Sequence, residues 1–357
     1  MRFEKRLLTG DRGAGVLEKF WLIPWSFVLL LSAVAAVGYV ALYSAGQGPD
    51  AYAGRHALRF GIGLVIMLSL AMVPIRVIAQ LAWLGWAGAV GLLLLVEFSG
   101  QVGKGAQRWI DVGPIQLQPS ELMKITLVLA LAAWFHRASH ERIGNPLFLI
   151  PPALAIAIPV ALILKQPNLG TALITAALGG VVFWAAGVRL WKFAIIGVLA
   201  AIAAPIGYGM LHDYQRTRIT TFLDPESDPL GAGYNIIQSK IALGSGGIWG
   251  KGFLGGTQGH LNFLPEKQTD FIFTMIAEEF GFVGAASVLI LLAAVIAFGF
   301  LVAFRSRHQF GRIVALGLAT NYFLYVFVNV AMVTGSIPVG GVPLPLISHG
   351  GSAMLTV

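Results

Sequence analysis

The sequence predicts an all-α polytopic membrane protein, and three observations carry that prediction. Hydrophobic residues make up 57% of the 357-residue chain and charged ones 11%, far from the balance of a soluble globular domain. Apolar runs recur along its length, each long enough to cross a hydrocarbon core about 30 Å thick. No polar stretch between them is long enough to close a core of its own, so residues 1–357 read as a single integral membrane domain. The absence of cysteine excludes disulfides and thiolate metal sites. A formal charge of +8 reflects loop Lys and Arg that set membrane orientation, and gives no ground for a nucleic-acid partner.

Arg2, Lys5, Arg6, Arg12 and Lys19 charge residues 1–19. The apolar stretch after them is too long for a signal-peptide core, so it reads as a retained span with 1–19 cytoplasmic. Apolar segments lie near 20–44, 57–75, 78–98, 119–137, 146–164, 170–187, 190–211, 270–304 and 312–334, and a tenth begins near Ser348. About ten transmembrane helices are therefore expected, with a large extracytoplasmic loop, 212–268, between the seventh and eighth. With the N-terminus inside, thirteen of the 24 Lys and Arg fall in inner segments and ten in outer ones, with Lys124 inside a span. Five of those ten lie in the one long loop, where the positive-inside rule is weakest, so an N-in, C-in orientation is expected. No internal repeat is visible, which gives no support to a transporter built from inverted halves.

Candidate functional groups are the polar residues between and within these spans. Loop 99–118 is short and glycine-marked, reads as hairpin-like, and groups Lys104, Gln107, Arg108 and Trp109. Pro119 opens the next helix where a missing N–H is harmless, and Glu121 and Lys124, three apart, share one face of it. Ionisable residues inside a span are costly unless they meet, so this pair is either functional or an internal ion pair that fixes packing. The turn Lys165-Gln166-Pro167-Asn168-Leu169-Gly170 leaves Lys165 and Gln166 as candidate ligand contacts. In the long loop Arg216 and Arg218 stand two apart, and an apolar run from Ile236 to Leu243 predicts a short amphipathic helix in the interface, carrying Lys240. Seven glycines between Gly244 and Gly256 follow, around Lys251. They either let backbone approach a bulky substrate or let the loop move, and their spacing does not match a P-loop. The outer cations either pair with neighbouring acids or meet an anionic ligand.

From Leu261 to Gly281, charge, Pro and Gly gather at the edge of an apolar segment. Pro265 bends the chain, Thr269 or Asp270 can cap, and Phe271, Ile272, Met275 and Ile276 recur at helical spacing. A helix is thus predicted to start at Asp270, at the membrane surface. Asp270 is then either an N-cap alone or a functional carboxylate. Residues 334–352 hold no formally charged residue but three prolines and many glycines, and irregular backbone at membrane depth needs burial in protein or a cavity. Asn321 and Asn329, eight apart on the ninth span, share a face predicted to point inward for the same reason.

These stretches together resemble the SEDS family (shape, elongation, division and sporulation). The matching residues are Lys104-Gly-Ala-Gln-Arg-Trp109, Gln118-Pro-Ser-Glu121, Lys165-Gln-Pro167, Gln238-Ser-Lys-Ile241, Trp249-Gly-Lys-Gly252, Gly256-Thr-Gln258, Leu264-Pro-Glu266, Thr269-Asp-Phe-Ile-Phe273, Glu278-Glu279 and Pro343-Leu-Pro-Leu-Ile-Ser348. They cover nearly the whole chain, and the stretch from Trp249 to Gln258 is more similar to the elongation branch than to the division branch. Three positions depart from the family pattern: Asn168 where Asp is usual, Gln268 where His is frequent, and His349 where Tyr is usual. Asn168 weakens any scheme that needs a second carboxylate on that turn.

The resemblance implies a peptidoglycan glycosyltransferase of the bacterial cytoplasmic (inner) membrane. It would polymerise lipid II at the outer face for cell elongation and rod shape, beside a class B penicillin-binding protein that cross-links the glycan. By position it assigns Asp270 as the essential acidic residue and Glu121 with Lys124 as an intramembrane pair. On that reading Asp270 is the general base for attack of a sugar hydroxyl on the anomeric carbon, with polyprenyl pyrophosphate leaving. Lys104, Arg108, Lys165, Arg216, Arg218, Lys240 and Lys251 are candidates to receive the pyrophosphate; Gln107, Gln166, Gln258, Glu266, Thr269 and Ser348 are further candidates for substrate contact. No cage of carboxylates is visible, so any Mg2+ or Mn2+ would arrive with the substrate pyrophosphate. The alternatives are a flippase for lipid-linked precursors, which needs cations and a cavity but no base, and a solute transporter.

Overall fold

The structure is a computed structural model that describes residues 16–99, 101–103, 106–112, 115–166, 168–210, 216–217, 220–222, 224, 232–260, 263–264, 266–338, 340–350, 354 and 356. Its helices are α1 Val16–Leu22, α2 Trp25–Gly46, α3 Gly54–Met72, α4 Ile75–Ser99, α5 Pro119–Phe135, α6 His140–Gly144, α7 Pro146–Lys165, α8 Leu169–Ala186, α9 Leu190–Met210, α10 Ala232–Ser245, α11 Thr257–His260, α12 Ile272–Arg305 and α13 Gln309–Val333. A π-helical turn, Pro49–Ala53, joins α2 to α3. The predicted hairpin is present as a small antiparallel sheet: β1 Gln101–Gly103, β2 Ala106–Val112 and β3 Ile115–Leu117, in that order.

Seven helices among the described residues are long and apolar enough to cross a membrane: α2, α3, α4, α7, α8, α12 and α13. The expected ten is not reached on that criterion. Helix α5 has 17 residues, buried along most of its length, α9 adds a shorter apolar segment, and the tenth, from Ser348, is only partly described.

Sequence dictates the helix boundaries locally. Asn145 accepts the Leu147 N–H at 3.0 Å ahead of Pro146 in the first turn of α7, the position where proline loses nothing. Asn168 caps α8, its Oδ1 taking the Thr171 N–H at 3.4 Å, a role Asp would fill equally. Two large apolar cores result, one around α2, α12 and the 344–347 segment, the other around α5, α7 and α8, with a small third cluster of Ile174, Tyr325 and Val342. Helix α13 joins them: Phe310 and Ile313 pack in the second, Tyr322, Val326, Met332 and Val333 in the first.

Helix α12 is interrupted. At 34 residues it would measure about 51 Å at 1.5 Å per residue, well beyond the hydrocarbon core, and its continuity ends at Gly281 (φ 66, ψ −164). The break denies the Phe282 and Val283 N–H groups their usual acceptors four residues earlier, the carbonyls of Glu278 and Glu279. The glycine-rich loop after α10 repairs both sides. Phe282 donates to Gly247 O at 2.9 Å and Val283 to Ile248 O at 3.1 Å, while Lys251 donates to Glu278 O at 3.0 Å and Gly252 to Glu279 O at 2.9 Å. The glycines therefore serve neither substrate approach nor loop movement in the first instance. A Cβ on Gly250 (φ 81) would lie 2.1 Å from Glu279 O, so only glycine lets loop and helix meet. The segment predicted as a flexible loop is a backbone splint.

Gly250→Ala should therefore lower stability by at least about 2 kcal/mol, through strain at positive φ and the clash. Gly244→Ala, at an open helical site, should be neutral or stabilising by up to about 1 kcal/mol. Thermal unfolding of the purified variants checks this, and equal midpoints would refute the splint.

Candidate active site

Residues 266–270 form the turn that delivers the chain to α12. Glu266 sits at φ 58; its carbonyl accepts the Thr269 N–H at 3.0 Å and its carboxylate the Thr269 hydroxyl at 2.9 Å. Thr269 thereby closes the turn and does not cap the helix. The cap position falls to Phe271 and α12 starts at Ile272, not at Asp270 as predicted. Phe271 and Ile272, both buried, draw the helix start into the core and leave Asp270 half-buried at its mouth.

The loop after α13 is packed against this turn. Ser348 donates to the Thr269 carbonyl at 2.6 Å and accepts the Leu344 N–H at 2.7 Å, and the His349 N–H donates to the Gln268 carbonyl at 2.8 Å. Asn329, fully buried on α13, sends its Nδ2 to the Asp270 carbonyl at 2.9 Å and to the Val342 carbonyl at 2.7 Å. Gly341 (φ 66) is a neighbour of the carboxylate: a Cβ there would stand at ordinary contact distance, 3.7 Å, from Asp270 Oδ2. On the far side of the loop, Arg59 of α3 lies 3.3 Å from His349 Nε2 and Tyr52 meets the same ring edge-on. On the same helix the exposed apolar residues Ala57, Leu58, Gly61, Ile62, Val65 and Ile66 line a shallow, open groove.

Glu121 and Lys124 meet inside the bundle, with Lys124 Nζ donating to Glu121 Oε1 at 2.9 Å and both side chains buried. Tyr325 of α13, which the sequence reading missed, completes the group. Its hydroxyl accepts from Lys124 and donates to Glu121 Oε2, and the ammonium stands 4.2 Å from its ring centroid. Its position four residues before Asn329, on the face predicted to point inward, was the available signal.

Several predicted phosphate ligands are held elsewhere. Lys251 is paired with buried Glu278 at 2.6 Å, a carboxylate that also takes the Thr257 hydroxyl and the Gln258 N–H. Lys165 is paired with Glu97, Gln166 donates to the Leu93 carbonyl at 3.0 Å, and Arg216 donates to the Gly209 carbonyl. Lys240 is exposed, its stem lying over Gly335. Lys267 donates to the Gly259 carbonyl at 2.7 Å, and burial holds its ammonium below the usual lysine range. Gln107 and Arg108 belong to β2 with side chains outside the described residues; Lys104 and Arg218 lie outside them altogether. Of the predicted set, the structure gathers Glu266, Thr269 and Ser348 around Asp270.

Residues 19–357 match the FtsW/RodA/SpoVE family of cell cycle proteins. The chain belongs to this family. Among FtsW/RodA/SpoVE relatives, it is 43% identical over 350 residues to the peptidoglycan glycosyltransferase MrdB of Escherichia coli (strain K12), covering 95% of this chain and 91% of that protein. The MrdB of Helicobacter pylori (strain ATCC 700392 / 26695) is 35% identical over 347 residues, 94% of this chain and 87% of that protein. Two solved structures are similar in fold. The rod shape determining protein RodA of Thermus thermophilus superposes with a TM-score of 0.69 at 29% identity, covering 94% of this chain and 93% of that one. A chain from a peptidoglycan synthase complex, described as coordinating polymerization and crosslinking, gives a TM-score of 0.79 at 36% identity, with 93% of each chain covered.

Removing one partner of the buried pair leaves the other charge uncompensated. Glu121→Ala is expected to cost about 3–5 kcal/mol, with most of that loss recovered by the apolar triple variant Glu121→Leu/Lys124→Met/Tyr325→Phe, which leaves no orphaned hydroxyl. Unfolding midpoints measure this; a Glu121→Ala protein as stable as the wild type would contradict it.

Proposed function

We infer that this chain is a peptidoglycan glycosyltransferase that polymerises lipid II into glycan strands at the outer face of the bacterial cytoplasmic membrane, serving cell elongation. The observation that carries this reading is family membership over residues 19–357, with 43% identity to a peptidoglycan glycosyltransferase, joined to a carboxylate on a half-buried turn held by α13 and the 340–349 segment. The N-terminus faces the cytoplasm, and a class B penicillin-binding protein is the partner that cross-links the product. Likeness to a chain of a polymerising and cross-linking complex supports that partner.

Asp270 acts as the general base. It takes the proton from a sugar hydroxyl as that oxygen bonds to the anomeric carbon, and the bond from this carbon to the pyrophosphate oxygen breaks. The electron pair leaves with polyprenyl pyrophosphate, and the anomeric centre inverts. Because Asp270 stands before the cap position of α12, its carboxylate is not placed as the helix N-cap, where the macrodipole would most weaken it as a base. The apolar groove on α3 suits the polyprenyl tail, and Arg59 with Arg55 at its head suits the anionic end.

The experiment is polymerisation of lipid II by the purified protein with and without Asp270→Asn. General-base catalysis contributes at least about a hundredfold, so the variant should lose at least that factor while still folding. Polymer formed by the variant within about threefold of the wild-type rate would remove Asp270 from the chemistry. Lipid translocation by both proteins with polymer from neither would favour a flippase.

A further inference from the structure

A fully buried carboxamide is costly to the extent that its hydrogen bonds are unmade, and Asn329 makes its bonds through Nδ2 alone, its buried Oδ1 having no partner among the described residues. Asn329 directs Nδ2 to two backbone segments that flank one carboxylate: the carbonyl of Asp270 itself, at 2.9 Å, and that of Val342, at 2.7 Å. Val342 follows Gly341, where an added Cβ would come into van der Waals range of Asp270 Oδ2. A planar NH₂ group offers two donors from one nitrogen, which a hydroxyl or an apolar side chain cannot reproduce. One turn earlier on α13 is Tyr325, bonded to both members of the Glu121–Lys124 pair. Residues four apart stand on one face of a helix, about 6 Å from each other.

We propose that Asn329 is a positioning residue for Asp270, and that Tyr325 passes the state of the Glu121–Lys124 pair to it along α13. A buried ion pair that loses or changes a partner must re-form its bonds. Tyr325 touches both charges, so it moves with them. Helix α13 is packed in both apolar cores, and close-packed elements shift as units, so the displacement reaches the amide that sets the Asp270 turn. Misplacing a catalytic group by about 1 Å costs up to about a hundredfold in rate. Neither residue needs to touch substrate. This explains why an intramembrane pair would matter to chemistry carried out on a different turn.

The inference rests on Asp270 being the base, and the test separates the two. Initial rates of lipid II polymerisation by the full chain in nanodiscs are measured for the wild type, Asp270→Asn, Asn329→Ala, Tyr325→Phe and Asn329→Ala/Tyr325→Phe, normalised to folded protein. Asn329→Ala should lower kcat roughly tenfold to a hundredfold with KM changed by less than about threefold, whereas a merely structural role would lower the folded fraction and leave kcat alone. Tyr325→Phe should lower kcat in the wild-type background and have little further effect beside Asn329→Ala. If Asn329→Ala does not fold, Asn329→Ser, which keeps one donor, takes its place with a smaller loss expected. An unchanged kcat in either Asn329 variant overturns the positioning role, and losses that multiply in the double variant overturn the link through Tyr325. Polymerisation surviving in Asp270→Asn defeats the underlying assignment instead.

Discussion

Inside a bilayer there is no water to satisfy a broken backbone, so every irregular segment must find its hydrogen bonds within the protein. That constraint shapes two of the places where this chain departs from helix. At Gly281 the interruption of α12 leaves two carbonyls and two N–H groups without helical partners, and residues 247–252 supply all four bonds. At the start of the same helix, the 266–270 turn and the 340–349 segment answer each other through Asn329, Ser348 and the His349 N–H. The site exists because these irregular segments are held in place by protein, with Asp270 half-buried on the 266–270 turn.

The charged groups divide along the same line. Glu121 with Lys124 is a buried pair, and buried Glu278 is paired with the more exposed Lys251, each bonded on several sides. Such pairs contribute little net stability when formed and cost heavily when broken, so they act chiefly to fix which helix meets which. Asp270 differs in standing on a turn, between Thr269, whose side chain is spent on Glu266, and Phe271, which is buried. A general base needs a fixed position more than a strong field, because its value depends on reaching the acceptor proton at hydrogen-bond distance. Asn329 fixes position without adding charge beside the carboxylate.

Much of this was legible in the sequence. Alternating apolar runs and turn residues marked the membrane helices, Glu121 and Lys124 announced a buried pair by their spacing, and Asn321 and Asn329 showed an inward face. The helix start was misread because Thr269 and Asp270 have capping side chains, while the preference of Phe271 and Ile272 for the core moved the boundary inward. The glycine-rich loop was misread for a related reason: local composition records that the backbone can approach something closely, but not that the something is a break in a helix some thirty residues on. Tyr325 was passed over because an aromatic at helical spacing among Phe and Val looks like core; its place on the Asn321–Asn329 face was a hint, but only contact between α5 and α13 shows which groups its hydroxyl joins. Lys251 and Lys165 looked like phosphate ligands because sequence shows charge and not partners.

The most direct test of the account is the pH dependence of kcat for lipid II polymerisation in the wild type and in Asp270→Asn. If this carboxylate removes the acceptor proton, the wild-type rate falls about tenfold per pH unit below the pKa of the base, and the residual rate of the variant shows no such limb. The same acid limb in both proteins would mean that the titrating base is another group, and the assignment of the site to Asp270 would not stand.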